Sequence, residues 1–438
     1  MNIVVITGLL FGSMILALGL GLPVAFALGG IGTIFILFLW GPEGLSLVAL
    51  RASGMMRSIT LVAVPLFILM ASVLAKSGVV EDLYDAMHRW AGPVRGGLLI
   101  GSIIICAIIA AMSGIAATGT VTMGLIALPA LLKRGYDKKL TLGAIMAGGA
   151  LGPLIPPSVI MIVYGSVSGL SVGKLFLGGI IPGVMLAVLF IIYIGIRCYF
   201  NPSLGPPLPV EERADWQQKL VSLRAVILPL LVIASVLGSI FGGLATATEA
   251  SAAGAVAAIV CAAIHRRFSW SLIKDAGIET LKTTCMIMWI LFGAQLFAAV
   301  YQGLGASKFV DVLLTLVPLS GLGVLVFIQL VFFILGCLVD ALSILMITYP
   351  IFFPLIARFG YDPMWFAILF CINTQMGYLT PPFGANLFFM KGVAPKDTTI
   401  EELYRSIIPF VALQAIVLFL TIVFPQLATW VPYHGGNY

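Results

Sequence analysis

Asp340 is the only charged residue between Val312 and Ala357. A carboxylate at the centre of such an apolar run costs about 2.5–3.5 kcal/mol on insertion scales. It is therefore expected to face a cavity, pair, or bind a cation or proton. Glu249 is alone in the same way within Ala225–Ile264, and two readings stay open for it: a hydrogen-bonded acid between closely packed helices, or an ion ligand. Ser113, Thr118 and Thr120 surround a small, polar tip and could supply neutral oxygens to an ion or a substrate. The stretch Asn373–Asn386 carries more polar atoms than packing requires and reads as a binding surface. The remaining reactive types make no site. The six cysteines form no CxxC and the three histidines no metal spacing, so the cysteines are expected to be buried apolar residues.

These residues need elements to hold them, and composition decides the medium. The 438 residues are 61% hydrophobic and only 9% charged, against about 25% charged in soluble domains. A soluble enzyme and a disordered chain are both excluded. What remains is a polytopic membrane protein with room for roughly ten to fourteen spans of about 20 residues. The apolar N-terminus has no basic leader and reads as a first span. Glu43–Ser58 and Val79–Trp90 are amphipathic and are expected at the interface.

Gly96–Leu132 carries no charge. It is too long for one span and too short for two with a loop. Two half-length helices meeting near Ser113-Gly114 fit, as a re-entrant hairpin whose tip must be shielded. Leu140–Gly173 is also uncharged, and Gly152-Pro153-Leu154-Ile155-Pro156-Pro157-Ser158 interrupts it. Proline removes amide donors and breaks helices, which predicts a span broken at mid-depth with free carbonyls. Residues 197–224, Pro-rich and mixed in charge, read as a surface linker.

The chain then repeats. Tyr136-Asp137 matches Tyr361-Asp362 at an offset of 225 residues, and the same offset pairs Gly152 with Gly377, Leu154 with Leu379 and Pro156-Pro157 with Pro381-Pro382. The first connector, Lys133 to Lys139, has net charge +3, and its partner, Arg358 to Asp362, has net charge 0. Lys and Arg mark the cytoplasmic side, so equivalent loops are expected on opposite faces. Such inverted repeats are the plan of secondary transporters, with sites at the midplane on broken helices.

The Ser113-Gly114 tip, the Gly152–Ser158 break, Asp340 after Gly336-Cys337-Leu338-Val339, and the Thr380-Pro381-Pro382-Phe383-Gly384-Ala385-Asn386 break resemble, in order, the large membrane subunit of tripartite ATP-independent periplasmic (TRAP) transporters, the DctM-like family. The resemblance covers essentially the whole chain. It implies an all-α, inverted-repeat elevator carrier of the ion-transporter superfamily, with two re-entrant hairpins and two Pro-Pro-broken helices. The implied division is 1–95, scaffold helices and interfacial arm; 96–173, first hairpin and broken helix; 174–300, scaffold with the linker 197–224; 301–400, second hairpin and broken helix; and 401–438, a C-terminal helix.

The resemblance also implies partners and sites. They are a small four-helix membrane subunit, a periplasmic substrate-binding protein, a small organic anion, and Na⁺ as the coupling ion, in a bacterial or archaeal inner membrane. One Na⁺ site would use Ser113 with carbonyls near Gly152, Leu154 and Pro157. The other would use Asp340, Gly377, Leu379, Thr380 and Pro382. Substrate would meet Thr118, Ser158, Thr374 and Asn386. Many relatives carry an acid six positions after the tip serine, where this chain has Gly119, so the first site would rely on neutral oxygens. No Lys or Arg sits inside either repeat's core, so an anion would be held by hydroxyls, amides and half-helix N-termini. The alternative is a self-sufficient ion-coupled carrier or cation/proton antiporter that needs no binding protein. A lipid-modifying enzyme is disfavoured, because neither acid has a His or Cys companion.

Overall fold

A computed structural model describes residues 3–305, 320–382 and 384–434. Phe383 and the first residues of the expected span Leu313–Leu335 lie outside the described residues. All regular structure among the described residues is helical. The first group comprises α1 (Ile3–Gly19), α2 (Val24–Trp40), α3 (Ser46–Met56), α4 (Ile59–Lys76) and α5 (Val79–Ala91). The first repeat follows: α6 (Gly97–Ser113), α7 (Ala116–Lys133), α8 (Lys138–Gly149), α9 (Val159–Ser168) and α10 (Val172–Phe200). Then come α11 (Trp216–Phe241), α12 (Ala247–Ile264) and α13 (Trp270–Gly303). The second repeat is α14 (Gly321–Gly336), α15 (Ala341–Arg358), α16 (Pro363–Gly377), α17 (Ala385–Val393) and α18 (Ile400–Val423), closed by α19 (Gln426–His434).

The repeat is exact in its central helix: α7 and α15 both have 18 residues at the sequence offset of 225. The elements around them match for local reasons. Asp137 caps α8 by accepting from the Leu140 amide at 2.7 Å, and Asp362 caps α16 by accepting from Met364 and Trp365. Each caps a half-helix that then runs to a Pro-Pro break, and both Pro-Pro bonds are cis. Leu140–Gly149 and Met364–Gly377 are buried at every position. A helix apolar all round belongs at the centre of a bundle, and these two half-spans form it.

Helix α10 measures the inversion. Its 29 residues span about 43 Å at 1.5 Å per residue. Just beyond its C-terminal end the Leu204 carbonyl accepts from the Asp137 amide, in the first connector. Near its N-terminal end Lys174 lies over the Tyr433 ring, and Tyr433 Oη donates to Asp362, in the second connector, at 2.7 Å. Equivalent connectors therefore sit at opposite ends of the same helix. The basic end is tied by Arg134–Glu212 at 2.7 Å, Lys138–Asp397 at 2.8 Å and Arg267–Asp82 at 2.9 Å. Lys138, by its hydrogen bond, holds the Asp397 carboxyl below its ordinary range.

Seven helices among the described residues are long and apolar enough to cross a membrane, and the bent α11 makes an eighth. That is fewer than composition suggested. The apolar sequence is spent partly on short elements such as α6, α9 and α14, of 10–17 residues, which pair as hairpin arms or half-spans.

Glu249 is not stranded in hydrocarbon. It is the third residue of α12 and completes a capping box, its carboxylate accepting from the Thr246 amide and hydroxyl at 2.8 Å. It is exposed at the end of the bundle opposite the basic connectors. Its run looked uniformly apolar because a helix start with small residues breaks hydropathy very little.

Candidate functional site

The two hairpin tips close on the two breaks. In the first, the Ser113 hydroxyl donates to the Ile109 carbonyl at 2.9 Å. Gly114 turns the chain at φ +62°, and a Cβ built on it would lie 2.2 Å from the Pro157 carbonyl oxygen. Only glycine allows both that dihedral and that approach. A Cβ on Gly152 would come within 2.7 Å of the Ile115 backbone. Ser113, Gly152 and Pro157 are thus brought to one tip-to-break contact. The Leu154 carbonyl instead faces α10, 2.4 Å from where a Gly179 Cβ would stand.

The second tip repeats the plan with different chemistry. Gly377 packs on Gly336, where a Cβ would sit 2.6 Å from backbone atoms. Asp340 takes the place that Ile115 has in the first tip. Its carboxylate is the N-cap of α15, accepting from the Leu342 and Ser343 amides at 3.0 and 3.1 Å and from the Ser343 hydroxyl. The Gly377 carbonyl accepts from the Thr380 amide, and the Thr380 hydroxyl donates to the Met376 carbonyl. Leu379 is fully buried beside them. Pro382 is exposed, and its carbonyl accepts from Tyr404 at 3.2 Å, on the α18 side of the break.

A cavity of about 260 Å³ lies between the tips. Four helix N-termini line it: those of α7 (Ala116, Ala117), α9 (Val159, Ile160), α15 (Asp340, Leu342) and α17 (Ala385, Asn386). Helix α13 closes the remaining wall with Thr283, Met286, Ile287 and Ile290. Asp340 is the one charged side chain among the described residues of the lining. Asn386 is fully buried there. Its amide nitrogen donates to the Met146 carbonyl of the other repeat at 3.1 Å, and its oxygen has no partner.

Of the four expected substrate contacts, Asn386 alone lines this cavity. The Ser158 hydroxyl is consumed inside the first break, donating to the Pro153 carbonyl at 2.7 Å while capping α9. Thr374 is fully buried and donates back to the Phe370 carbonyl. Thr118 is half-buried on α7. The sequence reading did not single out the α13 wall, whereas Tyr378, which accepts from the Ala341 amide at 3.2 Å, falls in the Asn373–Asn386 stretch read as a binding surface. Thr283 was legible only as a member of a helical run, with no pattern to say which helix faces the tips.

Gly119 lies against α8, a Cβ there falling 2.9 Å from the Gly149 Cα. No larger side chain fits that spot in this packing. Among the described residues no three His, Cys, Asp or Glu side chains cluster as a metal site, and all six cysteines are free.

The sequence model of the family described as "Tripartite ATP-independent periplasmic transporter, DctM component" matches residues 11–427. A C4-dicarboxylate TRAP transporter large permease protein of Pseudomonas aeruginosa is 32% identical over 409 residues, covering 93% of each chain. An ectoine TRAP transporter large permease protein of Halomonas elongata is 29% identical, covering 96% of this chain and 98% of its own. In fold, the chain is similar to the YdaH transporter of Alcanivorax borkumensis. The TM-score is 0.62 at 14% identity, over 94% of this chain and 97% of that one. It is also similar to MtrF of Neisseria gonorrhoeae, with a TM-score of 0.64 at 16% identity, over 90% and 85%.

Proposed function

The chain belongs to the DctM component family of tripartite ATP-independent periplasmic transporters, and is thus a multi-pass inner-membrane permease subunit rather than an enzyme; from that premise we propose that it takes up a small organic anion, of carboxylate or sulfonate class, by Na⁺ co-transport. A periplasmic binding protein delivers the anion, and a small four-helix subunit completes the membrane part. The repeats, residues 96–173 and 301–400, move as a transport domain against the scaffold in an elevator.

The observation that carries this reading is the central cavity, bounded by four helix starts from two inverted repeats and by the long helix α13. A site built that way can be walled off from either face when the repeats slide along α13. The uncapped start of α7 presents free amides and a positive dipole end, which favour an anion.

Na⁺ is read into the tip contacts, where oxygens converge. At the first tip the Ser113 hydroxyl and the carbonyls of the 152–157 break are neutral ligands of the kind Na⁺ accepts, with Pro157 nearest the tip and Leu154 turned away. At the second, Asp340 supplies the charge, with the Gly377 to Thr380 turn beside it and Pro382 farther out. The polar atoms fit a cation better than they fit a second anion, because among the described residues Asp340 has no basic partner in the cavity lining.

The test is uptake into proteoliposomes holding the permease and its small subunit, with binding protein outside. Uptake is expected to need both an inward Na⁺ gradient and the binding protein. Uptake indifferent to Na⁺ refutes the coupling, and full uptake without the binding protein establishes the self-sufficient carrier instead.

A further inference from the structure

We propose that the transported anion leaves the central cavity past Thr283 into a crevice at the basic end, where the Lys282 ammonium receives its carboxylate or sulfonate group as an exit subsite. The inference rests on the transport reading above and adds a second station for the same anion.

A crevice stands at each end of the scaffold, and one of them meets the central cavity. The first, of about 370 Å³, is lined by Lys76 and by Asp275, Ile278, Glu279, Lys282 and Thr283 of α13. Thr283 also lines the central cavity, so the two spaces meet at that residue. Ser77 fixes the end at which this happens. It follows Lys76, its carbonyl accepts from Arg267 at 3.0 Å, and Arg267 is paired with Asp82 at the basic end. The second crevice, of about 550 Å³, is lined at the opposite end by residues that include Ser58, Ser166 and Glu249. Among the described residues it shares no wall with the central cavity. There the Ser58 and Ser166 hydroxyls stand 3.3 Å apart and join the start of α4 to the end of α9. In this structure the cavity therefore continues toward the basic face, which is the cytoplasmic one.

One face of α13 carries the whole path. Ile290, Met286, Thr283, Glu279 and Asp275 recur every three or four residues, the spacing that keeps side chains on one side of a helix. The stripe is apolar in the central cavity, passes the Thr283 hydroxyl and becomes charged within a turn. Lys76 is already engaged, its Nζ 3.0 Å from the Glu279 carboxylate. Lys282 is exposed in the crevice and has no ion-pair or hydrogen-bond partner among the described residues. Asp275 lies two turns farther out, about 10 Å along the axis, which exceeds the Debye length of about 8 Å at physiological ionic strength. An anion moving outward thus meets an unengaged ammonium before it meets that acid.

The chemistry follows from the change of walls. A carboxylate or sulfonate beside Met286 and Ile290 is poorly solvated, and carrying it out across apolar surface is costly without a partner. A cation at the mouth of a cleft raises the local concentration of anions and receives the charge one step from the cavity. Open to water, it then exchanges the anion with the cytoplasm.

The experiment is thiol labelling in membrane vesicles that hold the permease with its small subunit. Cys285, the exposed one of the six cysteines, is first replaced by C285S, and T283C is added. The probes are two membrane-impermeant reagents of opposite charge, sulfonatoethyl and trimethylammonioethyl methanethiosulfonate. Both should reach T283C in inverted vesicles, where the cytoplasmic face is outside, and not in right-side-out ones. K282Q should lower the ratio of the sulfonate rate to the trimethylammonium rate at least about threefold, as loss of a unit charge close by requires, and K282R should keep it. A ratio unchanged in K282Q overturns the subsite. Labelling from the periplasmic face alone, or from neither face, overturns the path. If T283C fails to insert, M286C, one turn farther in, carries the same reading. A charge preference set by Lys282 without any Na⁺-driven uptake refutes the transport reading and leaves the anion path standing.

Discussion

Asp340 has two jobs in this structure that a pair of substitutions separates. It caps α15 and is the only charge among the described residues of the cavity lining. Asn caps about as well as Asp, whereas Ala at an N-cap costs about 0.5–2 kcal/mol. D340N therefore removes the charge and keeps the cap, and D340A removes both. For unit charges about 4 Å apart at an effective dielectric near 20, the lost attraction is about 4 kcal/mol. The remaining oxygens recover part of it, and half of it still amounts to roughly thirtyfold in Kd. In a Na⁺ titration of uptake, D340N should raise the half-saturating Na⁺ at least tenfold while thermal stability stays near that of the parent. D340A should add a loss of stability of about 1 kcal/mol. A D340N protein with unchanged Na⁺ dependence, beside a destabilised D340A, refutes the ion role and leaves Asp340 a helix cap.

The other predictions follow from contacts with no slack. G152A and G377A each place a methyl 2.6–2.7 Å from backbone of the facing tip. The tips must part by roughly 0.8 Å, at a cost of about 1–3 kcal/mol, and both variants should lose Na⁺-driven uptake while still inserting, as read by transport and by yield in the membrane fraction. E249A breaks the α12 capping box and should lower thermal stability without changing the Na⁺ titration; altered coupling would restore an ion role for Glu249. Burial, and next to it Arg134, hold His88 below its ordinary value. The unfolded chain then takes up the proton first, so stability is complete above about pH 6.5 and falls as pH drops through that value. Melting curves across that range should show the fall in the parent and a weaker one in H88Q.

Much of the architecture was written in residue types. The charge-free runs, the Pro-Pro breaks and the offset of 225 marked two copies of one unit, because proline and charge act on the backbone and the bilayer wherever they stand. The connector charges gave the inversion that α10 measures. Asp340 was legible because an isolated acid is expensive in any apolar run. Hydropathy alone misjudged Glu249, since it averages over a capping box made of three small residues and one acid.

What the sequence determined, then, is what depends on nearest neighbours along the chain: the medium, the breaks, the duplication and the stranded acid. The tertiary structure decided which atoms remain free. Ser158 and Thr374 are spent on their own backbones, the Leu154 and Pro382 carbonyls turn toward α10 and Tyr404, and the start of α7 has no side-chain cap. Hydrogen-bond capacity is fixed by residue type, but whether it is used is settled by whatever folds against it, and those partners can lie 240 residues away, as Asn386 and Met146 do.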